Sequence, residues 1–197
     1  MYKIRQLIIF TKEKINLKEA RYAVLVPMVE TGQGTGLLLE VRTEYVKQPG
    51  EICFPGGKIE ENETPVTAAL RETCEELGIS AGDVEIVKEL DREVMSDGKT
   101  IVPVLARVER EAAENIVLSH CEVADTFILP LKWLSKNIPE EYDLTTIDDK
   151  DLPEKLRKYL SNYERYRRVG HTSYIEYEGH GIWGLTARVI NRVIEII

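Results

Sequence analysis

Residues 57–79, GKIEENETPVTAALRETCEELGI, place a glycine, an arginine and several glutamates at fixed intervals. Glu72, Glu75 and Glu76 fall at positions i, i+3 and i+4, so on a helix they share one face and are expected to converge on one point. Three ionised carboxylates repel one another unless a cation lies between them. Hard divalent cations such as Mg²⁺ bind oxygen ligands and keep positions open for water and substrate phosphates. The spacing therefore predicts a helix that carries a metal site.

The alternative interpretation of these acids is a solvated helix face. Such a face normally carries Lys or Arg four residues from each acid, whereas Arg71 is the only cation between Pro65 and Gly78. Thr64 is predicted to cap the helix, Pro65 to occupy its first turn and Gly78 to end it. The inner face is expected to consist of Ala68, Ala69 and Leu77, with the acids on the other side.

The same residues resemble the Nudix box, the signature of hydrolases that cleave nucleoside diphosphates linked to another group. That signature runs glycine, five residues, Glu, seven residues, Arg-Glu, an aliphatic residue, any residue, Glu-Glu, any residue, glycine and an aliphatic residue. Every charged and glycine position matches, and Thr73 alone departs by standing where the family prefers an aliphatic side chain. The matching residues are Gly57, Glu63, Arg71, Glu72, Glu75, Glu76 and Gly78, and Ile79 closes the motif.

The resemblance implies roles for these residues. Glu72, Glu75 and Glu76 would bind Mg²⁺ or Mn²⁺ together with the carbonyl of Gly57, and Glu72 and Glu75 would take part in catalysis. Arg71 would orient the carboxylates, although its side chain is expected to diverge from that of its neighbour Glu72. A separate residue, Glu63, would brace the loop before the helix or a metal-bound water.

The general base is open at this stage, because Nudix enzymes differ and some use a glutamate outside the box. The candidate is Glu122, which precedes a predicted strand at Thr126–Leu129 and a probable edge of the sheet. A solvent-facing loop acid is the alternative interpretation of Glu122. Glu111 and Glu114 are weaker candidates on the same stretch.

The segment before the box, LLLEVRTEYVKQPGEICFPGG, resembles the motif of coenzyme A pyrophosphatases within the Nudix group. Two departures are present: Glu40 replaces a threonine, and the stretch from Arg42 to Gly50 is one residue shorter than the family form. The resemblance implies that Arg42, Lys47, Lys58 and Phe54 contact the substrate. Arginine suits phosphate through its bidentate fork and lysine through its point charge; ordinary surface residues are the alternative for the two lysines.

The composition limits the classes of function. The formal net charge of −8 argues against a general nucleic-acid binder, because affinity for the phosphate backbone needs a basic surface. The only apolar run near the N-terminus is Leu7–Phe10, too short for a signal peptide or a membrane span. The three cysteines include no CxxC pair, which favours free thiols in a reducing compartment. We therefore expect a cytoplasmic protein with no nucleic-acid or membrane partner.

Strands alternate with helices along the chain, which predicts an α/β (α+β) fold; the resemblance implies a Nudix-type α/β/α sandwich on a mixed β-sheet. Predicted strands lie at 5–10, 21–28, 36–42, 84–93, 100–108, 126–129 and 173–177, and Pro103 suggests an edge or a bulge. Helices are predicted at 130–134, at 153–166 and at 185–197, the last with a buried face of Leu185, Val189, Val193 and Ile196. One domain over 1–197 is expected, with a charged excursion at about 135–170.

Three hypotheses for function remain. The first is metal-dependent hydrolysis of the pyrophosphate bond of coenzyme A or acyl-coenzyme A to 3′,5′-ADP and 4′-phosphopantetheine. The second is hydrolysis of ADP-ribose or another nucleoside diphosphate derivative. The third, from another class, is a non-catalytic Nudix-fold sensor, which is disfavoured because all the box acids are retained. The apolar terminal helix and the family resemblance also suggest a homodimer. YERYRR at 163–168 is a candidate substrate or dimer contact, but a solvated helix end is the favoured interpretation.

Overall fold

The computed structural model describes residues 22–94, 98–161 and 170–197. The predicted strand at 5–10, the end of the predicted helix at 153–166 and the YERYRR segment lie outside these residues. Single-domain organisation over 1–197 therefore stays a prediction. None of the helices that the structure describes is long and apolar enough to cross a membrane.

The described part of the chain contains two sheets, five α-helices and two short 3-10 helices at Ala81–Asp83 and Asp149–Asp151. The larger sheet contains β1 (Tyr22–Thr31), β2 (Gly34–Arg42), β3 (Ile52–Cys53), β4 (Gly56–Lys58), β5 (Val84–Glu89), β6 (Glu93–Val94), β7 (Thr100–Val108) and β8 (Val123–Pro130). The smaller sheet contains β9 (Glu140–Asp143), β10 (His171–Tyr177) and β11 (His180–Trp183). The helices are α1 (Pro65–Leu77), α2 (Arg110–Glu114), α3 (Leu131–Leu134), α4 (Glu154–Ser161) and α5 (Gly184–Ile194).

The larger sheet is mixed, as predicted. Strands β1 and β7 pair in parallel, and β1 pairs in an antiparallel manner with β2 and β4. Along β2, Leu37 and Leu39 pack on one face and Leu38 packs on the other, because side chains alternate along a strand. The predicted mixed α/β fold is confirmed.

The sheet lies between two layers. On one face, α1 packs through Ala68, Ala69 and Leu77 against apolar residues of β1 and β7. On the other face, α3, α5 and the smaller sheet cover a second core that includes Leu134 and Ile190. A third hydrophobic cluster lies between α4 and the smaller sheet. Part of the charged excursion therefore packs on a small core of its own.

Several predicted features are wrong in detail. Strand β7 lies between β1 and β5 rather than at an edge. Pro103 is nevertheless tolerated within this strand. Its carbonyl accepts the N–H of Leu90, so its nitrogen faces the break between β5 and β6. The missing N–H of proline therefore costs no hydrogen bond between strands. That break also divides the strand predicted at 84–93. The side chain of Ile196 is 44% exposed beyond the end of α5, whereas Val189 and Val193 are buried as expected.

Candidate active site

The capping residues fix the position of helix α1. The Thr64 side chain accepts from the N–H of Thr67, and the Thr67 side chain accepts from the N–H of Thr64. Gly78 has the left-handed φ of 69° and donates its N–H to the carbonyl of Cys74. The predicted start and end of the helix are confirmed. Because both ends are fixed, the acids of the box keep one register against the sheet.

Glu76 lies on the inner side of α1, contrary to the expectation that all the acids face away from the sheet. Its residue is only 5% exposed, and its Oε2 accepts the N–H of Gly56 at 2.8 Å. Burial, together with the negative charge of Glu40, raises the pKa of Glu76 to about 9. Helix α1 and strand β4 are thus linked by a hydrogen bond to the carboxylate of Glu76.

Glu72 lies against the second glycine of β4. A Cβ atom added to Gly57 would stand 2.3 Å from Oε1 of Glu72, so no other residue leaves the carboxylate in this place. Partial burial raises the pKa of Glu72. The sequence prediction that Gly57 and Glu72 share one site agrees with this close approach.

Arg71 binds the acids around it. Its Nε lies 2.8 Å from Glu63, and its Nη1 lies 3.0 Å from Glu72 and 3.2 Å from Glu75. Its Nη2 also donates to the carbonyl of Lys58 at 3.0 Å. The expectation that Arg71 and Glu72 diverge is therefore wrong, because the long guanidinium side chain folds back across the helix. Arg71 holds the pKa of Glu63 below its usual value and positions two box acids.

The three box acids do not converge on a single point as predicted. The side chain of Glu75 is 56% exposed and turns toward Arg71, whereas Glu76 is buried against β4. Within residues 22–94, 98–161 and 170–197, no three acidic, histidine or cysteine side chains are already arranged to hold a metal ion. Mutual repulsion explains this arrangement, since each acid turns to a partner that offsets its charge.

Glu40 is a part of the site that the sequence reasoning missed. It lies on β2 on the same face as Leu38, toward α1, and is 2% exposed. Its Oε1 accepts from the thiol of Cys53 at 3.0 Å, and its Oε2 is buried with no hydrogen-bond partner among the described residues. Burial raises the pKa of Glu40 to about 7. The sequence signal was a glutamate directly after the leucines of β2 and two residues after Leu38, which places both side chains on one face of the strand.

The donor set fits a divalent cation of the Mg²⁺ type. Glu40, Glu72 and Glu76 belong to one acidic region: after the larger effect of burial, the charges of Glu40 and Glu72 raise the pKa of Glu76, and the charge of Glu72 raises that of Glu40. An unpaired buried carboxylate oxygen is costly unless a cation offsets it. Hard cations take such oxygens, and the missing side chain of Gly57 lets the Glu72 carboxylate lie directly against β4. Glu72 and Glu76 would hold the ion, with Glu75 reaching it from the exposed side.

Glu122 lies in the loop between α2 and β8, which contacts both the box helix and the residue that follows β2. The carbonyl of Glu122 accepts the N–H of Thr43, and the N–H of Ser119 donates to the carbonyl of Glu76. The negative charge of Glu122 contributes to the raised pKa values of Glu72 and Glu76, after the larger effect of burial. The structure thus brings Glu122, an exposed residue, to the box acids; its role as the base stays a prediction.

The weaker candidates for the base lie elsewhere. Helix α2 follows the end of β7 that pairs with Val29, whereas Gly57 pairs with Ala23. Six residues of strand span about 20 Å, so Glu111 and Glu114 lie toward the other end of the sheet. Glu114 also pairs with Arg110 at 2.7 Å.

The predicted substrate residues divide into three groups. Arg42 ends β2 beside the acids, with Nη1 3.7 Å from the sulfur of Cys53 and Nε donating to the carbonyl of Lys47 at 2.9 Å. Lys47 and Lys58 are exposed, and their role as phosphate contacts stays a prediction. Phe54 is 3% exposed and packs within the core. The ring anchors the segment that leads to Gly57, and a contact between Phe54 and the substrate stays a prediction.

Comparison with known proteins bears on this site. The NUDIX domain family matches residues 19–150. The mitochondrial coenzyme A diphosphatase NUDT8 of Mus musculus is 30% identical over 200 residues, 98% of this chain and 85% of that protein. Nudix hydrolase 3 of Caenorhabditis elegans is 28% identical, over 89% of this chain and 72% of that protein. The peroxisomal coenzyme A diphosphatase NUDT7 of Mus musculus is 35% identical, but only 60% of this chain and 50% of that protein align.

Solved structures support the same fold. The binary complex of a Caenorhabditis elegans Ap4A hydrolase superposes with a TM-score of 0.50 at 20% identity, over 74% of this chain and 97% of that one. At this identity the likeness concerns the fold alone. The family match covers more than half of the sequence and includes the complete set of box acids on α1. The chain therefore belongs to the Nudix hydrolase family, and within it the chain resembles the coenzyme A diphosphatases.

Proposed function

We propose that the protein hydrolyses the pyrophosphate bond of coenzyme A or its acyl derivatives, with Mg²⁺ or Mn²⁺, to 3′,5′-ADP and (acyl-)4′-phosphopantetheine. The observation that carries the proposal is the placement of Arg42, from the coenzyme A motif, at the end of β2 beside the acidic region. Arg42 and the box acid Glu76 come from separate segments, and Glu40 and Cys53 lie between them. Two proteins named as coenzyme A diphosphatases align with 98% and 60% of this chain.

The chain's own residues supply binding and orientation. Glu72 and Glu76 would hold the ion, and Arg71 fixes the carboxylate of Glu72 through its contact at 3.0 Å. A bound divalent ion neutralises phosphate charge and lowers the pKa of a water molecule. Glu122, on the loop hydrogen-bonded to Thr43, would accept the proton of the attacking water. The attacked phosphate would lie between this loop and Arg42.

Arg42 gives the site its selectivity for a diphosphate ester. Its guanidinium is held by the carbonyl of Lys47 and lies beside the thiol of Cys53. A pre-positioned guanidinium binds phosphate oxygens with a smaller loss of side-chain entropy than a free lysine. Lys47 and Lys58 on the exposed rim add positive charge for the phosphates that do not react.

The experiment compares coenzyme A with ADP-ribose, each in Mg²⁺, in Mn²⁺ and with a chelator. Metal-dependent release of 3′,5′-ADP with ADP-ribose left largely intact supports the proposal. Cleavage of ADP-ribose alone retains the box chemistry and refutes coenzyme A as the substrate. An absence of hydrolysis with a bound nucleotide would favour a sensor.

Variants test the metal residues. Glu72→Gln and Glu76→Gln are expected to lose hydrolysis while remaining folded by circular dichroism, because each removes a charged oxygen donor. Glu85→Gln is the matched control, since Glu85 is 72% exposed on β5 and pairs only with the exposed Arg107 among the contacts described. Full activity in both box variants would remove the proposed site.

A further inference from the structure

A cavity of about 420 Å³ adjoins the acidic region. This volume is in the range of pockets that bind small molecules. One wall comes from β3, and the others come from the smaller sheet and the start of α5, which are distant from β3 in sequence. The apolar lining consists of Ile52, Val94, Leu144, Trp183 and Leu185. Of these five apolar residues, only Ile52 belongs to the segment that resembles the coenzyme A motif.

The cavity begins where the proposed phosphate site ends. Arg42 and Cys53 both line it, and the same two side chains lie 3.7 Å apart. Cys53 in turn donates to Glu40, whose charge acts on Glu76. A substrate with a phosphate at Arg42 would therefore have one of its two arms at the mouth of the cavity.

Most polar groups of the walls already have protein partners. The hydroxyl of Thr186 donates to the carbonyl of Ile52 at 3.1 Å. Arg188 donates to Glu93 at 3.1 Å and to the carbonyl of Val94 at 3.2 Å. The carboxylate of Glu51 also lines the space, which opposes a second anion. Arg188, the guanidinium at this wall, thus already binds Glu93 and the carbonyl of Val94, whereas Arg42 lies at the mouth of the cavity.

We propose that the cavity holds the pantetheine arm of the substrate and that the 3′,5′-ADP end lies outside it; this inference rests on the proposed function. The arm is uncharged and consists of methylene groups, a dimethyl group, one hydroxyl and two amides, so it suits largely apolar walls with a few polar groups. Its thiol or a short acyl thioester would lie at the wall formed by Trp183 and Leu185. Trp183 is held in place by stacking on Tyr159, with ring centroids 5.9 Å apart.

Two tryptophan substitutions fill the cavity from different sides. Leu185→Trp acts at the start of α5, and Val94→Trp acts from the rim, where Val94 is 44% exposed and a larger side chain need not disturb the core. Ile138→Trp is the matched control, because Ile138 is 63% exposed and does not line the cavity. Both cavity variants are expected to raise KM for coenzyme A by about tenfold or more, with kcat changed much less. The control is expected to match the wild type.

Direct binding identifies which arm the cavity takes. Titration calorimetry with 4′-phosphopantetheine and, separately, with 3′,5′-ADP compares the wild type with the same three variants. Weaker binding of 4′-phosphopantetheine by both cavity variants, with 3′,5′-ADP unaffected, supports the inference. Weaker binding of 3′,5′-ADP instead would place the nucleotide in the cavity and overturn it. Unchanged binding of both compounds by a folded Val94→Trp protein would also overturn it.

The proposed function and the assignment of the cavity to the pantetheine arm can be refuted independently. A wild-type protein that does not hydrolyse coenzyme A refutes the proposed function, whatever the variants do. A wild-type protein that hydrolyses coenzyme A with the same KM as the folded cavity variants keeps the function and refutes the cavity assignment. The binding experiment needs no turnover, so it decides the position of the arm in either case.

Discussion

Replacement of Gly57 by alanine tests the close approach between β4 and α1. The added Cβ would lie 2.3 Å from Oε1 of Glu72 and 2.4 Å from its carboxyl carbon, whereas ordinary van der Waals contact begins at 3.4 Å. The carboxylate of Glu72 must therefore retreat by about 1 Å. Its contact with Arg71 at 3.0 Å limits the directions in which it can move. The substitution displaces one metal-binding group and leaves its charge intact.

The expected result is a loss of about 10²-fold in kcat/KM for coenzyme A, the usual effect of a 1 Å misplacement of a catalytic group. The Mg²⁺ concentration for half-maximal activity should rise, because the displaced oxygen binds the ion less well. Titration of Mg²⁺ at saturating substrate separates this effect from substrate binding. Circular dichroism and thermal unfolding establish that the variant is folded.

Gly32→Ala is the matched control. A Cβ added to Gly32, in the β1–β2 turn, meets nothing within 4 Å, so activity should be unchanged. Wild-type activity and an unchanged Mg²⁺ requirement in the folded Gly57→Ala protein would refute the reasoning. It would show that Glu72 does not need its place beside β4 for turnover.

The remaining predictions concern four residues. Arg71→Lys should lower kcat about 10–100-fold, because lysine cannot bridge the three acids as the guanidinium does; steady-state kinetics measure this. Glu40→Gln should raise the melting temperature measured in chelator, which corresponds to about 1–3 kcal/mol in the free energy of unfolding. Mg²⁺ should reduce the difference in melting temperature between this variant and the wild type. Thr73→Val should keep stability within about 1 kcal/mol, because the hydroxyl only adds a second bond to a helix carbonyl; thermal unfolding tests it. Leu156→Ala, at a fully buried position, should cost about 2–5 kcal/mol in urea unfolding.

The parts of the fold that the sequence predicted correctly depend on local interactions. Helix α1 begins at Pro65 and ends at Leu77 because Thr64 and Gly78 satisfy its ends with backbone contacts nearby in sequence. The β1–β2 hairpin follows from a glycine turn between two apolar runs. Such features need no knowledge of distant partners.

The features that the sequence did not predict depend on distant partners. The inward position of Glu76 depends on the N–H of Gly56, which no helical periodicity reveals. Phe54 lies in a motif associated with substrate, but its ring is covered by residues that follow it by more than 70 positions. The cavity has the same origin, since Ile52 and Leu185 come together only when α5 packs on the sheet.

Glu40 connects these observations. A threonine in its place, as in the coenzyme A motif, would introduce no charge, whereas Glu40 adds a carboxylate with one unpartnered oxygen beside the buried Glu76. Two buried carboxylates in proximity oppose folding unless a cation or proton offsets them. The fold retains this unfavourable pair at the end of β2, between the box helix and the cavity. A bound cation would offset this electrostatic cost, so Glu40 would link metal binding to the stability of the strand that carries Arg42.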